Sequence, residues 1–122
     1  MYGPPFIFLA EDWGGRDIAL AQNRWETHIK GHRAWINDRM IPLIRATVTQ
    51  PDAAYQSDRN SQEAEVWRHF HDIKDGTPDY LKVVIRYNAM IAHAASGDIV
   101  TAYIASHIDS KGPQIWKRQT SQ

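Results

Sequence analysis

The sequence predicts a single α+β domain in which a helical layer covers an antiparallel meander of strands. Apolar residues recur every four positions from Ile36 to Val48, which favours a helix that faces the core. Beyond residue 50, short runs separated by turn-rich segments are typical of strands, and residues 81–86 alternate with a period of two. We therefore expect N-terminal helices packed on a sheet of four to five strands.

The chain has 122 residues, which suits one domain with a modest hydrophobic core. We divide it into a lead-in over residues 1–16, a histidine segment with helices over 17–50, and a sheet with a basic tail over 51–122. The sequence contains no cysteine, which excludes a disulfide scaffold, a thiolate zinc site and a cysteine nucleophile. The N-terminal apolar run is too short, and lacks the basic flank, for a signal peptide or a membrane span.

Turn and breaker residues set the expected element boundaries. Gly14 and Gly15 predict a turn before a short strand at residues 18–21. Pro42 interrupts the apolar helical stripe, so we expect a kink or two short helices there. Gln50-Pro51-Asp52 then ends the helical region.

Four strands are predicted after the helical region, each bounded by turn-rich segments. They cover residues 54–57, 66–72, 80–87 and 98–107. Residues 88–95 fit either an apolar hairpin loop or a continuation of both flanking strands, and the pattern leaves both open.

The charges balance over the whole chain but are unevenly distributed. Fourteen basic residues match fourteen acidic ones, so no broad surface that coats nucleic acid is expected. Residues 24–45 nevertheless carry five cations against two anions, whereas residues 52–79 are mainly acidic. Lys111, Lys117 and Arg118 form a second basic group. A local phosphate site is therefore allowed.

Residues 25–32, Trp-Glu-Thr-His-Ile-Lys-Gly-His, place two imidazoles four positions apart beside a lysine. On a helical turn, His28 and His32 would share one face. The unperturbed pKa of an imidazole is about 6.5, so one ring can act as base while the other acts as acid near neutral pH. Gly31, between the rings, is expected to break regular structure.

Several short motifs follow one another in a recognisable order. They are residues 25–32, the helical region closing in Gln50-Pro51-Asp52, the strand Leu81-Lys82-Val83-Val84-Ile85, the strand Asp98-Ile99-Val100-Thr101-Ala102-Tyr103, and Lys111-Gly112 with Ile115-Trp116. In this order they resemble the ribonuclease toxins of the barnase, EndoU, colicin and RelE (BECR) group, which includes phage-borne and polymorphic-toxin nuclease domains. Two departures from that pattern are Arg33, where proline is frequent, and Pro42 inside the expected helix.

The resemblance implies a BECR-like fold, with N-terminal helices followed by a four-stranded antiparallel meander. It also implies metal-independent endoribonuclease activity with no cofactor. The implied partners are RNA, with tRNA among the candidates, and a cognate antitoxin or immunity protein, without a membrane. The implied place of action is a bacterial cytoplasm, reached by delivery or through a phage.

RNA supplies its own nucleophile, the 2′-hydroxyl, so a ribonuclease needs a base, an acid and donors for the charged phosphate. The predicted catalytic residues are His28 as general base, His32 as general acid, and Thr101 and Tyr103 as hydroxyl donors. The predicted substrate-binding residues are Trp25 and Trp116 for base stacking, and Lys30, Arg59, Arg86 and Lys111 for phosphate. The expected product end is a 2′,3′-cyclic phosphate.

A histidine metal site is one alternative. His28 and His32 have the spacing of helical zinc ligands, and His69 and His71 would share one strand face. However, Ile29 stands where a zincin-type site would need glutamate.

A non-catalytic adaptor or immunity-type module is the other alternative. Glu63, Glu65 and Asp72, near Trp67, would suit a basic partner surface.

Overall fold

The computed structural model describes residues 6–32, 35–74, 76–87 and 97–119, with 50% strand and 20% helix. The strands within these ranges are β1 (Phe6–Glu11), β2 (Asp17–Ala21), β3 (Ala53–Gln56), β4 (Glu63–Lys74), β5 (Thr77–Tyr87), β6 (Gly97–Ala105) and β7 (Gln114–Lys117). The helical elements are α1 (Gln22–Arg24), a π-helical turn (Trp25–Ile29), a 3-10 turn (Asp38–Met40) and α2 (Ile41–Thr49).

All seven strands form one mixed sheet in the order β1-β2-β6-β5-β4-β3-β7. The pair β2–β6 is parallel, and every other neighbouring pair is antiparallel. The prediction of N-terminal helices on a four- to five-stranded antiparallel meander is therefore wrong. The expected lead-in instead contains β1, which pairs with β2, the strand predicted at residues 18–21. This hairpin buries Phe8, Ala10, Ile18 and Leu20 and extends the sheet.

The predicted apolar stripe does face the core. Ile44 and Val48 of α2 are fully buried, and Met40 lies in the preceding 3-10 turn. Pro42 lies in the first turn of α2, where a missing N–H leaves no helical hydrogen bond unmade. The expected break at this proline is thus a junction between a 3-10 turn and α2.

The period-two pattern of β5 correctly predicts a strand, but residues 81–85 are buried on both faces of the sheet and not on one. Leu81, Val83 and Ile85 are buried in the core on the side of the sheet that α2 covers. Lys82, between them, points to the opposite face. We call this opposite side the cleft face.

The connection from β6 to β7 crosses the cleft face, because β5, β4 and β3 lie between these two strands in the sheet. We call residues 106–113 the strap. Its far end is fixed where the backbone N–H of Gln56 donates to the carbonyl of Pro113. A Cβ on Gly112 would lie 1.8 Å from the carbonyl oxygen of Gln56, so this close approach requires glycine.

Two predictions fall outside the described residues. They concern Arg33 and the connection between β5 and β6 at residues 88–95. Among the described residues, no helix has the length and apolar character needed to cross a membrane.

Candidate functional site

A buried lysine lies at the centre of the cleft face. Lys82 is only 6% exposed, although it is a charged residue in the middle of a strand. Its Nζ donates a hydrogen bond of 2.6 Å to the hydroxyl of Tyr103 on β6. The same ammonium lies 5.1 Å from the ring centre of Trp67 and 5.0 Å from that of Tyr103. Both rings therefore shield the charge from water while interacting favourably with it.

Two carboxylates flank this ammonium. Glu65 Oε1 lies 3.7 Å from Lys82 Nζ, and Asp109 Oδ1 on the strap lies 3.6 Å from it. Burial on its own would lower the pKa of Lys82, but the hydrogen bond to Tyr103 and the charges of Glu65 and Asp109 raise it above the usual value. Lys82 is thus an ammonium near neutral pH and cannot serve as a base.

Glu65 is held in place by a chain of directional hydrogen bonds. The indole N–H of Trp67 donates to Ser110 Oγ over 2.8 Å, and the Ser110 hydroxyl donates to Glu65 Oε1. Among the described residues, no side chain donates to Glu65 Oε2. One oxygen of this carboxylate is therefore fixed, and the other remains available to a ligand.

These groups line a cleft of about 480 Å³ on the cleft face. It is bounded by β4, β5, β6, the strap and the loop that follows β3. Its lining residues are Ser57, Asp58, Arg59, Glu63, Glu65, Lys82, Val84, Val100, Thr101, Tyr103, Asp109 and Lys111.

A smaller hollow of about 300 Å³ adjoins this cleft, since Val100 lines both. The hollow contains His28 and Arg24 from the helical turns beside Arg86 and Asp98 from the sheet. Arg86 is not free for a ligand, because its Nη2 lies 2.6 Å from Glu63 Oε2. His28 is thus the side chain that could add an imidazole to this end of the site.

The structure brings four predicted site residues into the cleft. Thr101 and Tyr103 lie on β6, and Arg59 and Lys111 reach the cleft from the loop after β3 and from the strap. Arg59 and Lys111 lie far apart in the sequence, on either side of β5, and the strand order brings their loops together.

The two histidines of the predicted pair both contact Thr27, but only His28 lines the hollow. His28 Nδ1 lies 2.5 Å from the Thr27 hydroxyl, and His32 Nε2 lies 2.9 Å from the Thr27 carbonyl oxygen. The π-helical turn ends at Ile29, and Gly31 has φ of +78°. Gly31 therefore breaks regular structure, as predicted, and the two imidazoles do not lie on one helical face.

Three other predicted contacts lie away from the cleft. Trp25 is 1% exposed and donates its indole N–H to Asp38, which removes it from base stacking. Lys30 forms an ion pair with the same Asp38 at 3.3 Å. Trp116 packs on Trp13, with ring centres 6.4 Å apart, and lines a separate groove.

Sequence reasoning missed the central residues Lys82, Asp109 and Ser110, and it gave Glu65 only a partner-binding role. A usable signal was the single charge inside the apolar run of β5. Pairing of Lys82 with Trp67 in the antiparallel register then places an aromatic ring over that charge. The strap contacts could not be found this way, because they depend on the strand order.

Within the described part of the chain, no three histidine, aspartate or glutamate side chains converge as metal ligands. His69 and His71 do share a face, with ring centres 5.8 Å apart, and His69 also packs on Tyr80. Two exposed rings alone do not provide a coordination shell.

Comparison of the chain with protein-family models, with characterised proteins and with solved structures yields no match. Functional inference therefore starts from the geometry of the cleft.

Proposed function

We propose that the protein is a metal-independent endoribonuclease whose reaction centre is the cleft around Lys82. The observation that carries this proposal is a buried ammonium, bonded to Tyr103, beside a carboxylate whose orientation is fixed by Ser110. Transesterification of RNA needs a proton acceptor for the 2′-hydroxyl and a fixed positive charge for the phosphorane. The cleft offers both within 4 Å of each other.

In this mechanism Glu65 Oε2 removes the proton as the 2′-oxygen attacks phosphorus. Lys82 and the Tyr103 hydroxyl stabilise the negative charge that develops on the phosphate oxygens, which a preorganised donor does best when it is shielded from water. The 2′-oxygen to phosphorus bond forms, and the bond from phosphorus to the 5′-oxygen breaks. The product is a 2′,3′-cyclic phosphate.

His28 is the proposed proton donor to the departing 5′-oxygen. The Thr27 hydroxyl donates to the Asn23 carbonyl, so it accepts from the Nδ1–H of His28. The proton donated to the 5′-oxygen is therefore the Nε2 proton of the imidazolium, acting on a strand that passes over Val100 from the cleft into the hollow. This assignment replaces the predicted pair of histidines with a carboxylate and one histidine. Thr101 keeps its proposed role as a hydroxyl donor at the cleft wall.

The proposed substrate is single-stranded RNA, since Arg59 and Lys111 can contact its phosphates while unpaired bases remain outside the cleft. Ribonucleases of this type act on the RNA of the cell that contains them. We therefore also propose a dedicated antitoxin or immunity protein as partner and a bacterial cytoplasm as the place of action.

The decisive experiment incubates purified protein with single-stranded RNA in EDTA and analyses the new ends. Wild type should yield 2′,3′-cyclic phosphates, and RNA with a 2′-deoxy residue at the cut position should resist cleavage. Lys82→Met and Glu65→Gln should each lose at least about a hundredfold in rate, as expected for loss of charge stabilisation or of the base.

Lys117→Met is the matched control, because Lys117 is an exposed lysine on β7 that does not line the cleft. It should cleave at the wild-type rate. Glu65→Gln changes the side chain without changing its size, so it keeps the test valid if Lys82→Met fails to fold. Wild type that is inert on RNA, or equal cleavage by folded Glu65→Gln, would overturn the proposal in favour of a non-catalytic binding module.

A further inference from the structure

The ion cluster around Lys82 contains one more negative charge than positive charge. A phosphate therefore cannot bind there unless the cluster rearranges. Lys82 contributes one positive charge, and Glu65 and Asp109 contribute one negative charge each within 4 Å. A phosphodiester would add a second net negative charge at the same point. Because like charges at such distances repel strongly in a partly buried cleft, one carboxylate has to leave.

The two carboxylates differ in how firmly they are held. The Glu65 side chain is 16% exposed and accepts the Ser110 hydrogen bond. The Asp109 side chain is 52% exposed, and its carboxylate contacts Lys82 alone among the described residues. At 3.6 Å that contact is an ion pair without a hydrogen bond, and exposed ion pairs of this kind are weak. Asp109 is therefore the carboxylate that can be displaced.

We propose that Asp109 occupies a phosphate subsite, and that the ligand's phosphate binds to Lys82 by displacing the Asp109 carboxylate. Lys82 has three ammonium hydrogens, of which Tyr103 accepts one. Both carboxylates lie beyond hydrogen-bond distance of Lys82 Nζ, so a phosphate oxygen that replaces Asp109 can accept a hydrogen bond that Asp109 does not.

Two further cations favour the exchange. Arg59 and Lys111 line the same cleft, and their charged groups form no ion pair with any described residue. Rotation of the Asp109 side chain away from Lys82, with Ser110 still holding the strap in place, would leave Lys82, Arg59 and Lys111 facing the phosphate. The cluster beside Lys82 would then lose one negative charge only when an anion enters.

This inference rests on the proposed function in one respect, which is that the phosphate is taken to belong to an RNA backbone. The experiment titrates inorganic phosphate, and separately a 2′-deoxy tetranucleotide that cannot be cleaved, at pH 7 and constant ionic strength. Binding is followed by NMR through the Tyr103 ring and the Lys82 side chain. The proteins compared are wild type, Asp109→Asn and Asp58→Asn.

Asp58→Asn is the matched control. Asp58 is an exposed aspartate lining the same cleft but forming no ion pair with Lys82, so it tests the effect of charge alone. Asp109→Asn should tighten binding of both ligands roughly three- to tenfold, the range expected when a weak competing ion pair is removed. Asp58→Asn should change it less than about twofold, since separated exposed charges are screened.

Equal tightening by the two variants, or none by Asp109→Asn, would overturn the inference. Tightening seen with inorganic phosphate but not with the tetranucleotide would overturn the assignment to an RNA backbone and support a site for small phosphate anions. The outcome is separable from the proposed function. If Asp109→Asn tightens binding but the protein never cuts RNA, the phosphate subsite is supported and the nuclease proposal is overturned. If the protein cuts RNA but Asp109→Asn does not tighten binding, the nuclease proposal is supported and the subsite is overturned.

Discussion

The indole N–H of Trp67 donates to the hydroxyl oxygen of Ser110 over 2.8 Å, although 43 positions separate the two residues. An indole can only donate, so Ser110 Oγ must accept this bond, and its own hydrogen is left for Glu65. The direction of both hydrogen bonds is thus determined by chemistry. Ser110 is a positioning residue that ties the strap to the proposed base.

Ser110→Ala should therefore lower kcat roughly tenfold while KM changes little, because Glu65 loses its orientation but the phosphate contacts remain. The measurement is kcat and KM of RNA cleavage. Ser110→Thr, which keeps the hydroxyl, should restore most of the rate.

Ser106→Ala is the control, since Ser106 is exposed on the same strap and, among the described side chains, its hydroxyl hydrogen-bonds to the neighbouring His107 and not to Glu65. It should behave as wild type. If Ser110→Ala merely lowers stability, while kcat matches wild type, Ser110 has a structural role only.

Gly112→Ala should destabilise the fold by more than about 2 kcal/mol, because the added methyl would collide with backbone at the end of the strap. The collision is with the Gln56 carbonyl, which cannot rotate away like a side chain. Urea unfolding followed by tryptophan fluorescence would measure the loss. Gly15→Ala is the comparison: its φ of +84° is strained for alanine, but no atom lies within 4 Å, so about 1 kcal/mol is expected. Equal losses would show that the strap can move to accommodate the methyl.

Local patterns in the sequence were sufficient for some elements of this fold. The alternation in β5 and the four-residue spacing of Ile44 and Val48 correctly gave a strand and a core-facing helix. The strand β2 was predicted at residues 18–21, but its partner β1 was missed because Phe6-Ile7-Phe8-Leu9 is apolar throughout and shows no alternation. The parallel pairing of Ile18 with Gly97 joins residues far apart in sequence, and no local pattern records such a contact.

The same reasoning explains the outcome at the candidate site. Thr101 and Tyr103 were grouped correctly, since residues two apart on a strand share a face. Lys82 was missed because a lysine in an alternating strand ordinarily faces water. It is buried because the rings of Trp67 and Tyr103 and the strap cover it, and the path of the strap depends on the position of β7 beyond β3.

His28→Ala should reduce RNA cleavage by about a hundredfold, as expected when a general acid is removed, whereas His32→Ala should stay within about twofold of wild type. The reason is that only His28 lines the hollow beside the cleft. Both side chains are exposed, so neither change should alter the unfolding midpoint. The measurement is the initial rate on one RNA substrate in EDTA. Equal, large losses in both variants would restore the pair of histidines as the catalytic unit.

The stability of the fold should fall at alkaline pH, and Tyr87 should account for much of the fall. Its hydroxyl donates to the buried Asp12 carboxylate over 2.8 Å. Burial is the main cause that raises the pKa of Tyr87 well above its usual value. The hydrogen bond to Asp12 and the negative charge of Asp12 raise it further. The folded state therefore holds this proton more tightly than the unfolded chain, in which tyrosine titrates near pH 10.

The contribution of Tyr87 is fully present below about pH 10 and is lost progressively as the pH rises above it. Lys82 acts in the same direction, since its pKa is also raised. The urea midpoint should thus be nearly constant from about pH 7 to 9 and decline beyond about pH 10.

Tyr87→Phe should be less stable at pH 8, but its stability should decline less steeply as the pH rises. Tyr55→Phe, which removes a half-buried phenol that accepts a hydrogen bond from the Gln114 amide, should keep the wild-type slope. A Tyr87→Phe curve parallel to that of wild type would assign the alkaline loss to Lys82 alone.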